Sequence, residues 1–162
     1  MRHVSIHSIS LDARTNSPVV LLRDESGEDD RVLPIWIGHA EAMAILLRLQ
    51  DVESPRPLTH DLLKSVLETL GLMVERVEIT RLDAGTFYAA LVLRGEDRRM
   101  AVDARPSDSM ALAVRTGSPI YVADEVWEQA ALAPPGDVDE EAEVARFREF
   151  LEHIDPADFE PS

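Results

Sequence analysis

AEAMAILLR, residues 40–48, and SDSMALAVR, residues 107–115, are two versions of one segment. Glu41 matches Asp108, Met43 matches Met110, Ala44 matches Ala111 and Arg48 matches Arg115, each at an offset of 67 positions. In the first version Ala42, Ile45, Leu46 and Leu49 fall on one face at helical spacing, which predicts a helix from His39 to Leu49. The second opens at Pro106 or Ser107, runs to Thr116 and stops at Gly117, with Pro119 guarding the exit. A strand–turn–strand unit precedes each, Val19–Ile37 in the first half and Phe87–Ala104 in the second. A duplicated β-hairpin-plus-helix unit accounts for both, with chance likeness of two Ala-rich helices as the plainer alternative. Hairpins followed by helices predict an α+β fold, with mixed or antiparallel sheets covered by helices.

Working outward, residues 2–11 alternate apolar and polar positions and read as a strand. Residues 18–23 and 32–37 read as two more, joined by a polar loop around Gly27 and ended at Gly38. Pro55-Arg56-Pro57 then punctuates the chain. The helix that follows is expected to use Thr59 as its N-cap, to staple Leu58 on Leu63 and to stop at Gly71. Leu62, Leu63, Val66, Leu67 and Leu70 form its apolar stripe. Strands are expected over 73–82, 86–94, 100–104 and 120–122, and a short helical stretch over 125–132. Residues 1–132 thus read as the domain and Ala133-Pro134-Pro135-Gly136 as a linker. Residues 137–159 read as an acidic amphipathic helix carrying Val144, Phe147, Leu151 and Ile154. That helix is expected to pack on the domain, on a second subunit, or on both.

Composition narrows the function classes. The chain has 162 residues, 45% of them apolar, enough to bury a core without staples. It has no cysteine, which removes disulfides, thiolate nucleophiles and zinc–thiolate sites. No apolar run approaches the roughly 20 residues of a membrane span, and the first residues lack a signal-peptide core, so no membrane is expected and the cytoplasm is the expected address. The formal net charge is −15. From Tyr121 onward there are 13 acids and 2 bases, a net of −11, against −4 for residues 1–120. A nucleic-acid substrate is compatible with this only at a local site, since such partners normally meet a basic patch. Fifteen of the 16 bases are Arg, which suits bidentate phosphate or carboxylate contacts as well as it suits a composition bias.

Five blocks together resemble the bifunctional nuclease family of bacterial and plant proteins. They are LPIWIGHAEAMAI (33–45), RPLTHDLL (56–63), GTFYAALVL (85–93), DARPSDSMALAVRTGSPIYV (103–122) and FREFLEHIDPADF (147–159). The likeness extends from Val4 to Phe159, and DARPSDS is its most specific element. The resemblance implies an α+β fold with a duplicated unit, DNase and RNase activity, and a homodimer as a common assembly.

A nuclease must activate water and stabilise charge on phosphorus. Without cysteine, the economical route is Mg²⁺ or Mn²⁺ held by carboxylates, with Arg on the phosphate and His moving protons. Asp103 at a strand end and Asp108 one helical turn on are the candidate metal ligands, with Glu41 from the matching helix. Asp103, Arg105, Asp108 and His60 are the candidate catalytic residues. Arg56, Arg105 and Arg115 are the candidate phosphate ligands. Each has a structural reading too. Glu41, Asp108 and Asp61 suit the helix dipole, Asp103 and Arg105 suit a structural ion pair, and Trp36 suits core packing. No HExxH, Walker loop, GxSxG or dinucleotide fingerprint is present. The alternative function is a non-catalytic homodimeric module that binds a small anionic ligand or a protein partner.

Overall fold

A computed structural model describes residues 1–135 together with Val144, Ala145, Arg148 and Glu149. Eleven elements occur in these residues. Strands β1 (Arg2–Leu11), β2 (Pro18–Asp24) and β3 (Val32–Trp36) lead into helix α1 (His39–Leu49). Helix α2 (Thr59–Thr69) follows. Strands β4 (Met73–Asp83), β5 (Thr86–Arg94) and β6 (Arg99–Ala104) then lead into α3 (Pro106–Thr116). Strand β7 (Ile120–Val122) and helix α4 (Asp124–Ala130) close the series.

The strands form one mixed sheet in the order β3-β2-β1-β7-β4-β5-β6. Each half is an antiparallel meander, because each strand follows its neighbour through a short turn. The β4–β5 turn is the tightest: Asp83 pairs Thr86, and Ala84 and Gly85 take φ of 48° and 80°. Positive φ at both central residues gives the twist that a two-residue hairpin needs. The short β7 joins the meanders, antiparallel to β1 and parallel to β4. An α+β fold with helices on a mixed sheet is therefore what the chain adopts.

Strand alternation places the core on one face. Val20, Leu22, Leu33, Ile35, Val77, Ile79, Leu91 and Leu93 point to that face and meet Ala42, Ile45, Leu46, Met110, Leu112 and Trp127 from the helices. Helix α1 lies over β2, α3 over β4 and β5, and α1 and α3 pack side by side with α2 on α3. Val19, Leu21 and Val32 form a smaller cluster on the opposite face. Trp36 belongs to that opposite face and is exposed, its indole N–H donating to Asp12 Oδ2 at 3.0 Å, so it is not the core residue expected. In the loop that joins β2 to β3, Asp29 accepts from Arg31 at 2.7 Å and from the Trp127 indole at 2.8 Å. The Arg2 guanidinium stacks over the Trp127 ring at 5.0 Å. These contacts tie α4 to the sheet.

Helix α2 departs from its sequence reading in two ways. Leu58, not Thr59, holds the N-cap position, and the cap is made in reverse: the Leu58 N–H donates to Asp61 Oδ2 at 2.9 Å. A carboxylate at the third helical position can reach back to that orphan donor. Second, Leu62, Leu63, Val66 and Leu70 are exposed rather than buried. His60 is the buried residue of this helix, and Leu67, seven residues on and so on the same side, is its partly buried companion. None of the described helices is long and apolar enough to cross a membrane. The amphipathic helix expected over 137–159 lies outside the described residues apart from the four named; these are helical, and Val144 packs against the core.

Candidate functional site

Three helix N-termini converge, and their first turns supply the site. Glu41 and Asp108 hold equivalent positions, each third in its helix after the N-caps Gly38 and Arg105. The packing of α1 against α3 brings the two turns together. Arg105 spans them. Its Nη2 donates to Glu41 Oε1 at 2.9 Å, and its Nε donates to Asp108 Oδ2 at 2.8 Å. A cation at a helix N-terminus opposes the dipole, so this arginine depends on its two carboxylates. Their hydrogen bonds, Asp108 first and Glu41 second, raise the guanidinium above its ordinary pKa. The Arg105 side chain is nevertheless 66% exposed, so it presents a charged face to solvent.

Helix α2 closes the other side. His60 Nε2 lies 3.0 Å from Asp108 Oδ1, and the imidazole is only 11% exposed. One carboxylate thus links an exposed arginine and an enclosed histidine. The next residue turns the other way: Asp61 Oδ1 accepts from Arg115 Nε at 2.6 Å, and Arg115 Nη1 donates to the Ala111 carbonyl at 2.7 Å. The Leu58 N–H, and after it Arg115, hold the Asp61 carboxyl below the ordinary carboxylate value. This pair floors an open cleft of about 520 Å³ between the ends of α1, α2 and α3, which Arg48 and Lys64 also line. Gly38 is part of the construction. A Cβ there would overlap the Glu41 carboxylate, which folds back over the glycine.

Of the residues nominated from sequence, Glu41, His60, Arg105 and Asp108 are brought into one connected cluster. Asp103 is not. It registers opposite Ala90, whose neighbours Ala89 and Leu91 face the core, so Asp103 points to the sheet face away from the helices. Arg56 is exposed in the loop before α2. Arg115 is buried on Asp61 rather than turned to solvent. As placed, Glu41, Asp103 and Asp108 do not converge on one ion position: Arg105 occupies the gap between two of them and the third is across the sheet. Among the described residues no group of three or more His, Asp or Glu side chains is arranged to hold a metal ion. Sequence reading missed two things, the Gly38 cradle and the Asp61–Arg115 pair. Both were hinted at by the offset of 67, which aligns Gly38 with Arg105 as N-caps and marks Arg48 and Arg115 as matched positions.

A family model described as the bifunctional nuclease domain matches residues 20–135. An uncharacterized protein of Mycobacterium tuberculosis is 48% identical over 166 residues, covering 98% of this chain and 98% of that protein. Bifunctional nuclease 1 of Oryza sativa subsp. japonica is 30% identical over 117 residues, covering 69% of this chain. Bifunctional nuclease 1 of Arabidopsis thaliana is 27% identical over 108 residues, covering 65%. The matched regions span only 35% and 33% of those two plant proteins.

Proposed function

The chain belongs to the bifunctional nuclease domain family, and from that premise we propose that it hydrolyses phosphodiester bonds of DNA and RNA, with little sequence preference, at the Arg105–Asp108–His60 cluster. The observation that carries this reading is Arg105 itself, an exposed guanidinium held at the N-terminus of α3. Backbone N–H groups and a fork of guanidinium donors are together a receptor for a phosphate. Nε and Nη2 are committed to carboxylates, which leaves Nη1 to meet a phosphate oxygen. Asp108 is the acid–base group nearest to it. In this reading Asp108 takes a proton from the attacking water, and His60 fixes the orientation of the carboxylate from behind. The protonated Asp108 then gives that proton to the departing oxygen as its bond to phosphorus breaks, so charge on the cluster is restored.

Mg²⁺ or Mn²⁺ dependence is kept as an arm of the test rather than a step of the mechanism. An ion between Glu41 and Asp108 requires Arg105 to leave them. A second reading, a non-catalytic module for a small anion or a protein partner, is favoured by the net charge of −15 and by the pairing of Arg105 and Arg115 with carboxylates.

One experiment separates them. Wild type and Asp108→Asn, purified identically, are assayed on single- and double-stranded DNA and RNA with Mg²⁺, Mn²⁺ or EDTA. The expected result is cleavage by wild type and a loss of about 100-fold or more in the variant, the usual size of an acid–base contribution. Equal activity in both samples, or none in either, removes the nuclease reading. Cleavage that survives EDTA assigns proton transfer to the Asp108–His60 pair without a metal.

A further inference from the structure

A chain of net charge −15 that cleaves nucleic acid must hold a polyanion without a broad basic surface. Base stacking is the contact that does not depend on charge, since every base offers a π-face. Among the described Trp, Tyr and Phe residues only Trp36 is more than half exposed, at 52%. Its counterpart at the offset of 67 is Asp103, so the duplicated frame itself requires no aromatic at this position.

The exposed indole is held in place. Its N–H donates to Asp12 Oδ2 at 3.0 Å, which fixes the ring by one edge. Asp12 opens the turn between β1 and β2, and that turn is closed on itself. The Asp12 N–H donates to the Ser17 carbonyl at 2.9 Å, and the Asn16 N–H donates to the Asp12 carbonyl at 2.8 Å. Arg14, exposed in the turn, attracts the Asp12 carboxylate and sets positive charge beside the indole. The same turn touches the first residue of α1, where His39 Nε2 lies 3.2 Å from the Asn16 carbonyl oxygen. Two residues on, Glu41 receives Arg105 at 2.9 Å. A series of contacts thus joins the indole to the Arg105 cluster, and chain length alone keeps the Trp36 and Glu41 Cα atoms within about 18 Å. A single strand covers such a span well inside the roughly 4–16 nucleotides that stacking surfaces engage.

We propose that Trp36 is a substrate-binding residue, the platform on which a base of a single strand stacks while Arg105 holds a phosphate of the same strand. This rests on the nuclease reading and adds to it the form of the substrate. In a duplex both faces of each base are already stacked on neighbours, whereas in a single strand they are free to cover an indole. A ring anchored at its N–H binds at little ordering cost. Stacking reads no base edge, which agrees with weak sequence preference. Arg105 and Arg14 are the cations placed to meet phosphates along this path, so binding should respond only weakly to salt. The slope of log K on log salt is about −0.7 for each phosphate neutralised on a single strand, hence about −0.7 to −1.4 here.

The tryptophans make the test spectroscopic, because Trp36 is exposed and Trp127 is fully buried. A dT oligonucleotide of about 12 nucleotides, or a blunt hairpin duplex of the same nucleotide count, is titrated into the full chain in EDTA. The single strand should quench the tryptophan emission of wild type, and the duplex should not. Trp36→Leu should abolish the quenching and weaken binding, read by anisotropy of a labelled strand, by about 5- to 150-fold, the range for loss of one stacked base. Trp36→Phe keeps a ring and should recover most of that affinity. Circular dichroism should be the same in all three, since the side chain is exposed. Equal quenching by the duplex, or an affinity indifferent to Trp36→Leu, overturns the proposal. Absence of quenching by either probe also overturns it and leaves the exposed indole to a protein partner. Failure of the nuclease reading looks different: quenching that depends on Trp36, with no cleavage by wild type under any metal condition, keeps the stacking site and removes the hydrolase. Cleavage of single strands with KM unchanged in Trp36→Leu does the reverse.

Discussion

Replacing Asp61 by Ala tests how the N-terminus of α2 is held against α3. The carboxylate does two jobs: it accepts the Leu58 N–H at 2.9 Å and the Arg115 Nε at 2.6 Å. Losing the cap costs about 1 kcal/mol. Losing the ion pair strands an arginine whose side chain is only 4% exposed. Breaking a fully buried pair costs about 3–5 kcal/mol, but Asp61 is 38% exposed and water reaches its end of the pair, which reduces this to roughly 1–2 kcal/mol. The total of about 2–3 kcal/mol corresponds to a fall in Tm of about 5–10 °C for a chain of this size. The assay is urea unfolding at pH 7 followed by circular dichroism, on wild type, Asp61→Ala, Arg115→Met and the double variant. The double variant should recover about 1 kcal/mol or more over the sum of the singles, because the stranded charge is gone. A loss below about 0.5 kcal/mol in Asp61→Ala, or strict additivity in the cycle, would refute the claim that this pair anchors α2.

Two other perturbations probe the neighbouring turns. Gly38→Ala should leave stability within about 1 kcal/mol, because φ of −74° is open to any residue, yet push the Glu41 carboxylate off Arg105 and lower kcat/KM by about 10- to 100-fold; unchanged cleavage would show that Glu41 does not position Arg105. Acid should unfold the protein in a defined direction. Hydrogen bonds from Arg31 and the Trp127 indole hold Asp29, and the Leu58 N–H and Arg115 hold Asp61, below the ordinary value of 3.8. Folded-state values below unfolded ones stabilise fully above about pH 4 and lose that stabilisation as pH falls through the lower values. Thermal melts from pH 7 to pH 2 should show this fall, and Asp29→Asn should flatten it; an identical pH slope in that variant would exclude Asp29 as a source.

What was legible in the sequence is what depends on local chemistry. Period-two alternation, Gly and Pro punctuation and the 67-residue offset placed α1 at His39–Leu49 and α3 at Pro106–Thr116, and most strands to within a residue or two. The α+β class followed from the same patterns. The candidate cluster was legible only as an inventory of residues, among them Glu41, His60, Arg105 and Asp108. Which of these meet is decided by tertiary packing. His60 and Asp108 are 48 residues apart, Glu41 and Arg105 64, and only the packing of α1 and α2 on α3 closes those distances. Asp103 looked like a partner of Asp108 because both lie in one short block, but strand parity turns its side chain through the sheet, a consequence of register that no local pattern encodes. The α2 stripe shows the same limit from the other side. Helical spacing reveals that an apolar face exists, but not whether the chain's own core covers it, because burial is a property of the neighbours that arrive and not of the helix that waits for them.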